Sequence, residues 1–233
     1  MYDTATNTIT TSITSSPAVR TFPIAVNTDV RTLGYAPGEV GSKYALDGSL
    51  LSSGYTHNLT ESLSDGTTDG TYNYAVSWAS GTVYRFTTDW ETPTYLFSAN
   101  LGGSTPGGIT YDSSDNTFWF SEDRGGYVWN YSKDGMLLSS FNTGLSIDWN
   151  LALNPEDKTL WFGSAFGTSL YQFSKTGTML GSYSPTGYDA ASFYSGEFSV
   201  YQSPAVPEPS TLAIFGIGAG IAGLKARKKK RVV

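Results

Sequence analysis

The chain of 233 residues has no cysteine and a single histidine, His57. Without thiols there is no disulfide framework and no thiolate chemistry, and one imidazole excludes a His₂ or His₃ metal site within one chain. Basic residues are scarce until the last few positions. Setting aside Glu208 and the six cations Lys225, Arg227, Lys228, Lys229, Lys230 and Arg231 leaves 8 basic and 19 acidic residues, a body charge of −11. A body of that sign repels nucleic acid and anionic membrane surfaces and attracts cations or basic partners, so nucleic acid is set aside as a partner. Strong helix formers are few; Gly, Ser, Thr, Asn and aromatics dominate. With 39% hydrophobic residues there is enough for a core, and residues 1–203 read as one all-β domain.

That domain repeats itself. Ile109-Thr110-Tyr111-Asp112 to Thr117-Phe118-Trp119-Phe120 aligns without gaps, 42 positions on, with Leu151-Ala152-Leu153-Asn154 to Thr159-Leu160-Trp161-Phe162. Val128-Trp129-Asn130-Tyr131-Ser132-Lys133-Asp134-Gly135 meets Leu170-Tyr171-Gln172-Phe173-Ser174-Lys175-Thr176-Gly177 at the same offset. Earlier copies appear at Val83-Tyr84-Arg85-Phe86 and from Tyr44 to Ser53. The equivalent turn positions Asp47, Asp89, Asp134 and Thr176 are separated by 42, 45 and 42 residues. Within one copy, β-branched and aromatic runs at 108–111, 117–121, 127–131 and 136–141 alternate with tight turns at 112–116 and 133–135.

Four antiparallel strands in roughly 40 residues make one blade of a β-propeller. The equivalent Trp119 and Trp161 are expected to fill the gaps between twisted sheets. Repeats are placed near 1–54, 55–101, 108–144 and 150–187, with a closing strand at 197–201. The expectation is therefore about four to five four-stranded blades in an open or truncated ring. Tyr2-Asp3 to Thr8-Ile9 echoes Tyr111-Asp112 to Thr117-Phe118, so the chain is expected to begin inside a blade, with an inserted segment between Ile9 and Tyr44. The unit from Gly108 to Leu138 resembles NHL-type and related surface propeller repeats. That resemblance implies a scaffold for protein or glycan binding, occasionally for lactone hydrolysis or lyase chemistry, and carries no catalytic set onto these residues.

The C-terminus has three parts. In the Pro-rich linker 204–210, Pro207 and Pro209 block helix formation and leave an extended backbone at Glu208, suited to a processing enzyme. Residues 211–224 follow as an uncharged apolar helix whose anchors are Leu212, Ile214, Phe215, Ile217, Ile221 and Leu224. At about 1.5 Å per residue it spans roughly 21 Å against a hydrocarbon core of roughly 30 Å, so it crosses only if Lys225 and Arg227 snorkel. The basic tail 225–233, through Lys225, Arg227, Lys228, Lys229, Lys230 and Arg231, sets the topology with the C-terminus in the cytoplasm. Without the Pro-Glu-Pro, the run fits an ordinary tail anchor or a buried helix with a basic end as well.

With Pro207-Glu208-Pro209 in front, the order resembles the PEP-CTERM sorting signal of Gram-negative bacteria. The resemblance implies export by the general secretory route, recognition by an exosortase in the inner membrane and removal of the tail near Pro-Glu-Pro. Release to, or attachment at, the cell surface follows, often alongside exopolysaccharide and biofilm. Met1 to Thr8 is polar and has no apolar export segment, so the expectation is a miscalled start or an incomplete chain.

In a four-stranded meander the strand 2–3 loops and the blade-to-blade loops emerge at one end. That end is expected to display Trp78, Glu122, Asp123, Arg124, Asp148, Trp149 and Phe166, aromatic platforms beside carboxylates and an arginine, suited to stacking on sugar rings. The plainer reading makes Trp149 and Phe166 inter-blade packing and the charges solvated loop tips. Catalytic signals are weak: His57 lies in a polar loop with no nucleophile elbow, and neighbouring carboxylates such as Glu122 with Asp123 diverge. Asp65-Gly66-Thr67-Thr68-Asp69-Gly70 has the oxygen-rich look of a Ca²⁺ loop but lacks EF-hand spacing. The reading is a non-enzymatic exported propeller that binds polysaccharide or a matrix protein, with a carbohydrate-active hydrolase or lyase, or a purely structural matrix protein, as competing classes.

Overall fold

The structure is a computed structural model, and it describes residues 2–3, 8–9, 20–147, 149–164, 167–186 and 195–200. The described residues all fall within one compact unit, residues 1–201. Two short strands, β1 (Tyr2–Asp3) and β2 (Thr8–Ile9), pair with Tyr2 opposite Ile9 and Asp3 opposite Thr8. The sequence echo therefore extends to register, since Tyr111 faces Phe118 and Asp112 faces Thr117.

Four antiparallel four-stranded sheets follow in order. Blade 1 holds β3 (Ile24–Val26), β4 (Val30–Thr32), β5 (Gly41–Tyr44) and β6 (Leu50–Tyr55). Blade 2 holds β7 (Leu63–Thr68), β8 (Asn73–Ser77), β9 (Thr82–Phe86) and β10 (Thr94–Ser98). In blade 3 lie β11 (Pro106–Asp112), β12 (Thr117–Glu122), β13 (Tyr127–Ser132) and β14 (Leu137–Asn142). Blade 4 consists of β15 (Ala152–Leu153), β16 (Leu160–Gly163), β17 (Leu170–Phe173) and β18 (Met179–Tyr183). The innermost strands β3, β7, β11 and β15 lie side by side. The architecture is the all-β propeller that the 42-residue repeat requires, with four blades among the described residues.

Each strand is simple meander neighbour to the next, so the chain builds a blade outward from the axis. Burial follows this order: β7 and β8 are buried throughout, whereas β6 and β14 are exposed along nearly their whole length. Apolar cores lie between blades. Ala25, Leu33, Leu63, Ala75, Phe86 and Trp90 fill the space between blades 1 and 2. Val76, Val83, Phe97, Ile109, Phe118 and Phe120 fill that between blades 2 and 3, and Trp119, Val128, Leu151, Leu160, Phe162 and Phe173 that between blades 3 and 4. Fully burying one such aromatic contributes about 2–3 kcal/mol, so each blade depends on its neighbour for stability.

Polar clasps tie the blades at both depths. Near the axis, Asp65 Oδ2 accepts the Ile109 N–H (3.1 Å), Thr67 Oγ1 that of Tyr111 (3.0 Å), and Thr110 Oγ1 that of Leu153 (3.1 Å). At the hairpin end, a cation crosses each of these junctions. Lys175 of blade 4 pairs with the buried Asp112 and with Asp115 (2.8 Å) of blade 3. Lys133 of blade 3 lies 3.5 Å from Asp69 of blade 2. Between blades 1 and 2 the roles are exchanged, with Arg31 on β4 meeting Asp89 in the β9–β10 turn at 2.9 Å.

Residues 195–200 return to the first blade. Val200 N–H donates to Val26 O (3.2 Å), Ser199 Oγ to Asn27 O (2.8 Å), and the Phe198 ring meets Trp161 edge-on at 6.0 Å. These residues carry no strand assignment. Among the described residues no helix is long and apolar enough to cross a membrane. The expected helix 211–224 and the motif Pro207-Glu208-Pro209 lie outside those residues.

Candidate functional site

The strand 2–3 loops and the blade-to-blade connections do emerge together, and their aromatics converge. Trp78 comes from the β8–β9 loop, Asp123 from the β12–β13 loop and Trp149 from the connection between blades 3 and 4. Asp123 accepts both indole N–H groups, that of Trp78 at 3.2 Å through Oδ2 and that of Trp149 through Oδ1. The two indoles lie 5.9 Å apart, and a carboxylate shared between them fixes both ring orientations.

Blade 1 contributes two further rings that the sequence reading missed. Phe22, just ahead of β3, meets Tyr35 of the β4–β5 loop at 4.9 Å and Trp149 edge-on at 5.5 Å. Tyr35 stacks on Trp149 at 5.9 Å. The Arg20 guanidinium lies 4.7 Å above the Tyr35 ring and is held by Glu39 (3.0 Å), whose other oxygen accepts the Ala36 N–H (2.8 Å). All four rings are half-buried. Loops from three blades and one inter-blade connection thus build one aromatic cap with a carboxylate beneath it and a cation at its rim. Phe22 and Tyr35 sit in the segment that reads as an insertion between Ile9 and Tyr44, where no repeat flags them.

The other candidates separate from this group. Glu122 is buried at the end of β12, where Oε2 accepts the Tyr127 N–H (3.1 Å) and closes the β12–β13 loop, so it is turned away from the face. Arg124 is exposed, its Nε 3.8 Å from Asp123. Asp148 and Phe166 lie outside the described residues. His57 is buried; burial pushes its imidazole below its ordinary pKa, and neither ring nitrogen hydrogen-bonds a side chain among the described residues.

The stretch Asp65 to Gly70 is not one loop. Asp65 and Thr67 lie on β7 and face the axis, whereas Asp69 sits in the β7–β8 turn, bound by the Tyr74 hydroxyl (2.6 Å) and the Tyr72 and Thr71 N–H groups (2.7 and 2.8 Å). Asp65 lies within the strand and Asp69 in the turn beyond its end, so the two carboxylates are held in different places. Among the described residues no three His, Asp or Glu side chains converge as a metal-ligating group. On the axis, Thr110 Oγ1 lies 3.2 and 3.0 Å from the two carboxyl oxygens of Glu197. Burial pushes the Asp65 carboxyl well above the ordinary carboxylate range and that of Glu197 up to about 8.

Four meander blades around a shared axis define a β-propeller. The far end of the chain adds a sorting signal: residues 205–231 match the PEP-CTERM protein-sorting motif. Such a signal implies membrane-anchored transit, processing by an exosortase and export to the cell surface. Solved structures similar to this chain are propellers. Myxococcus xanthus glutaminyl cyclase aligns at 12% identity with a TM-score of 0.55, over 72% of each chain. Staphylococcus aureus virginiamycin B lyase aligns at 16% identity with a TM-score of 0.50, over 80% of this chain and 62% of the lyase. A Bacteroides thetaiotaomicron protein of unknown function aligns at 14% identity and a TM-score of 0.50, over 72% of this chain and 45% of its own. At such identities the likeness shows the fold alone, and the chain spans less than two thirds of the latter two proteins. No curated protein matches it.

Proposed function

We propose that this protein is a non-enzymatic surface scaffold that holds an extracellular glycan, or a matrix protein that carries one, on its aromatic cap. The observation that carries this reading is the Asp123 clamp on Trp78 and Trp149. Fixed indoles stack on the apolar faces of sugar rings at low entropic cost, and the Arg20–Glu39 pair at the rim supplies hydroxyl partners. The PEP-CTERM tail supports it by sending the propeller to the place where such polymers lie. Processing near Pro207-Glu208-Pro209 in the inner membrane, with Gram-negative exopolysaccharide or biofilm as the setting, completes the proposal.

Glycan-array binding by the purified chain, compared with Trp78→Ala and Trp149→Ala, tests it. Loss of one cap ring is expected to weaken binding by 1–3 kcal/mol, roughly 5- to 150-fold, with the near-ultraviolet signature of the remaining aromatics retained. Binding that is indifferent to both substitutions removes the cap from the function. Turnover of the polymer, in place of retention, moves the protein to the hydrolase or lyase class.

A further inference from the structure

Two carboxylates, Asp65 and Glu197, are held against the inner strand β11 inside the propeller. Asp65 is fully buried; Oδ2 accepts the Ile109 N–H, while Oδ1 has no hydrogen-bond partner. Glu197, from the returning segment 195–200, enters the same space. Its carboxyl is enclosed by the inner strands of three blades, with Thr67 of β7, Thr110 of β11 and the Leu153 N–H of β15 as its neighbours. The Glu197 charge lies close enough to Asp65 to add to the cost of ionising it. Lys175, Lys133 and Arg31 are all engaged at the hairpin end, and none hydrogen-bonds either carboxylate.

The Glu197 oxygens accept from the Thr110 hydroxyl and the Phe198 N–H (2.9 Å), but Asp65 Oδ1 has no donor; an unpaired buried carboxylate oxygen costs free energy, and the second carboxylate nearby adds to the cost of ionising it. A shared cation removes both costs together. We propose that the axis binds one oxygen-seeking divalent cation of the Ca²⁺ type between Asp65 and Glu197, with the Thr67 and Thr110 hydroxyls as further oxygen ligands. Ca²⁺ accepts mixed carboxylate, hydroxyl and carbonyl oxygens in flexible geometry, whereas Mg²⁺ demands a tighter octahedron, so Ca²⁺ suits this lining better. Because Glu197 belongs to residues 195–200, the ion would pin the returning segment to the inner strands of blades 2 and 3. The body charge of −11 favours its uptake.

The test melts the detergent-solubilised full chain at neutral pH in EDTA, in Ca²⁺ and in Mg²⁺. Ca²⁺ at about a hundredfold excess over its Kd is expected to raise the midpoint by roughly 5–10 °C, and Mg²⁺ by less. Asp65→Asn and Glu197→Gln are expected to melt at or above the wild-type midpoint in EDTA, since each removes a buried ionisable group, and to lose the Ca²⁺ shift. Superimposed wild-type curves in EDTA and Ca²⁺, or a shift that persists in both variants, overturn the proposal. Should a variant fail to fold, calorimetric titration of the wild type decides: one Ca²⁺ per chain supports the site, and no binding overturns it.

Discussion

Asp112 has no exposed surface, yet it stays ionised. Burial raises the pKa of its carboxyl, but the Lys175 ammonium and the Ser114 hydroxyl and N–H hold it below the ordinary carboxylate value. Replacing Lys175 by methionine keeps the stem and strands that charge, so a loss of about 3 kcal/mol is expected in urea denaturation. Lys133→Met is expected to cost about 1 kcal/mol, because Asp69 keeps the Tyr74 hydroxyl and two backbone donors. The folded-state pKa of Asp112 lies below its unfolded value of 3.8, so the contribution of the pair is present above that value and is lost as pH falls through the folded one. The gap between wild type and Lys175→Met should therefore be full at neutral pH and close in acid. Equal losses at the two lysines, or a gap independent of pH, would show that the pairs are surface decoration.

The hairpin turns explain why the repeat is readable in some blades and worn in others. Gly135 and Gly177 share the left-handed backbone at φ 84° and 86°, and each lies under a ring of the preceding blade, Phe97 and Phe141. A Cβ on Gly177 would stand 2.8 Å from Phe141, so Gly177→Ala combines left-handed strain with displacement of a packed ring. It is expected to cost about 2 kcal/mol, against a few tenths for Gly144→Asn, whose left-handed site is open; a Gly177→Ala cost as small as that would refute the ring contact. Such doubly constrained positions kept the 42-residue register visible in blades 3 and 4. Blade 1 was legible only from Tyr44 to Ser53; its first half was worn, with the cation on β4 as Arg31 and the partner acid on the next blade as Asp89, which inverts the Lys-in-turn pattern. The cap was half legible: Trp78, Asp123 and Trp149 stand in long loops whose common face follows from meander topology. Phe22 and Tyr35 stand in an unrepeated segment, and Glu122 looked like a loop charge although it is the last residue of β12 and is held inward by the Tyr127 N–H. Glu197 had no local signature at all, because its partner Thr110 is 87 positions away.

Closure of the propeller and delivery of the protein use adjacent stretches of one chain. Glu197, Phe198, Ser199 and Val200 bind blades 3, 4 and 1, and all of them precede the sorting motif at 205–231. Under the proposed cut near Pro207-Glu208-Pro209, the tail would be removed with every described closing contact left in place. A chain ending at Ser203 should melt within about a degree of the full chain. A chain ending at Tyr194 loses the Phe198 ring and two backbone-directed hydrogen bonds, a deficit of about 3–5 kcal/mol in a domain that holds only about 5–15 kcal/mol in total. Its midpoint should fall by roughly 10 °C, with the loss concentrated in protease sensitivity of blades 1 and 4. If the two truncated chains melt together, residues 195–200 play no part in closing the ring. The intact mass of the surface-released protein then completes the comparison: a C-terminus between Val200 and Ser210 agrees with processing that spares the fold, whereas a mature protein that retains Arg231 contradicts it.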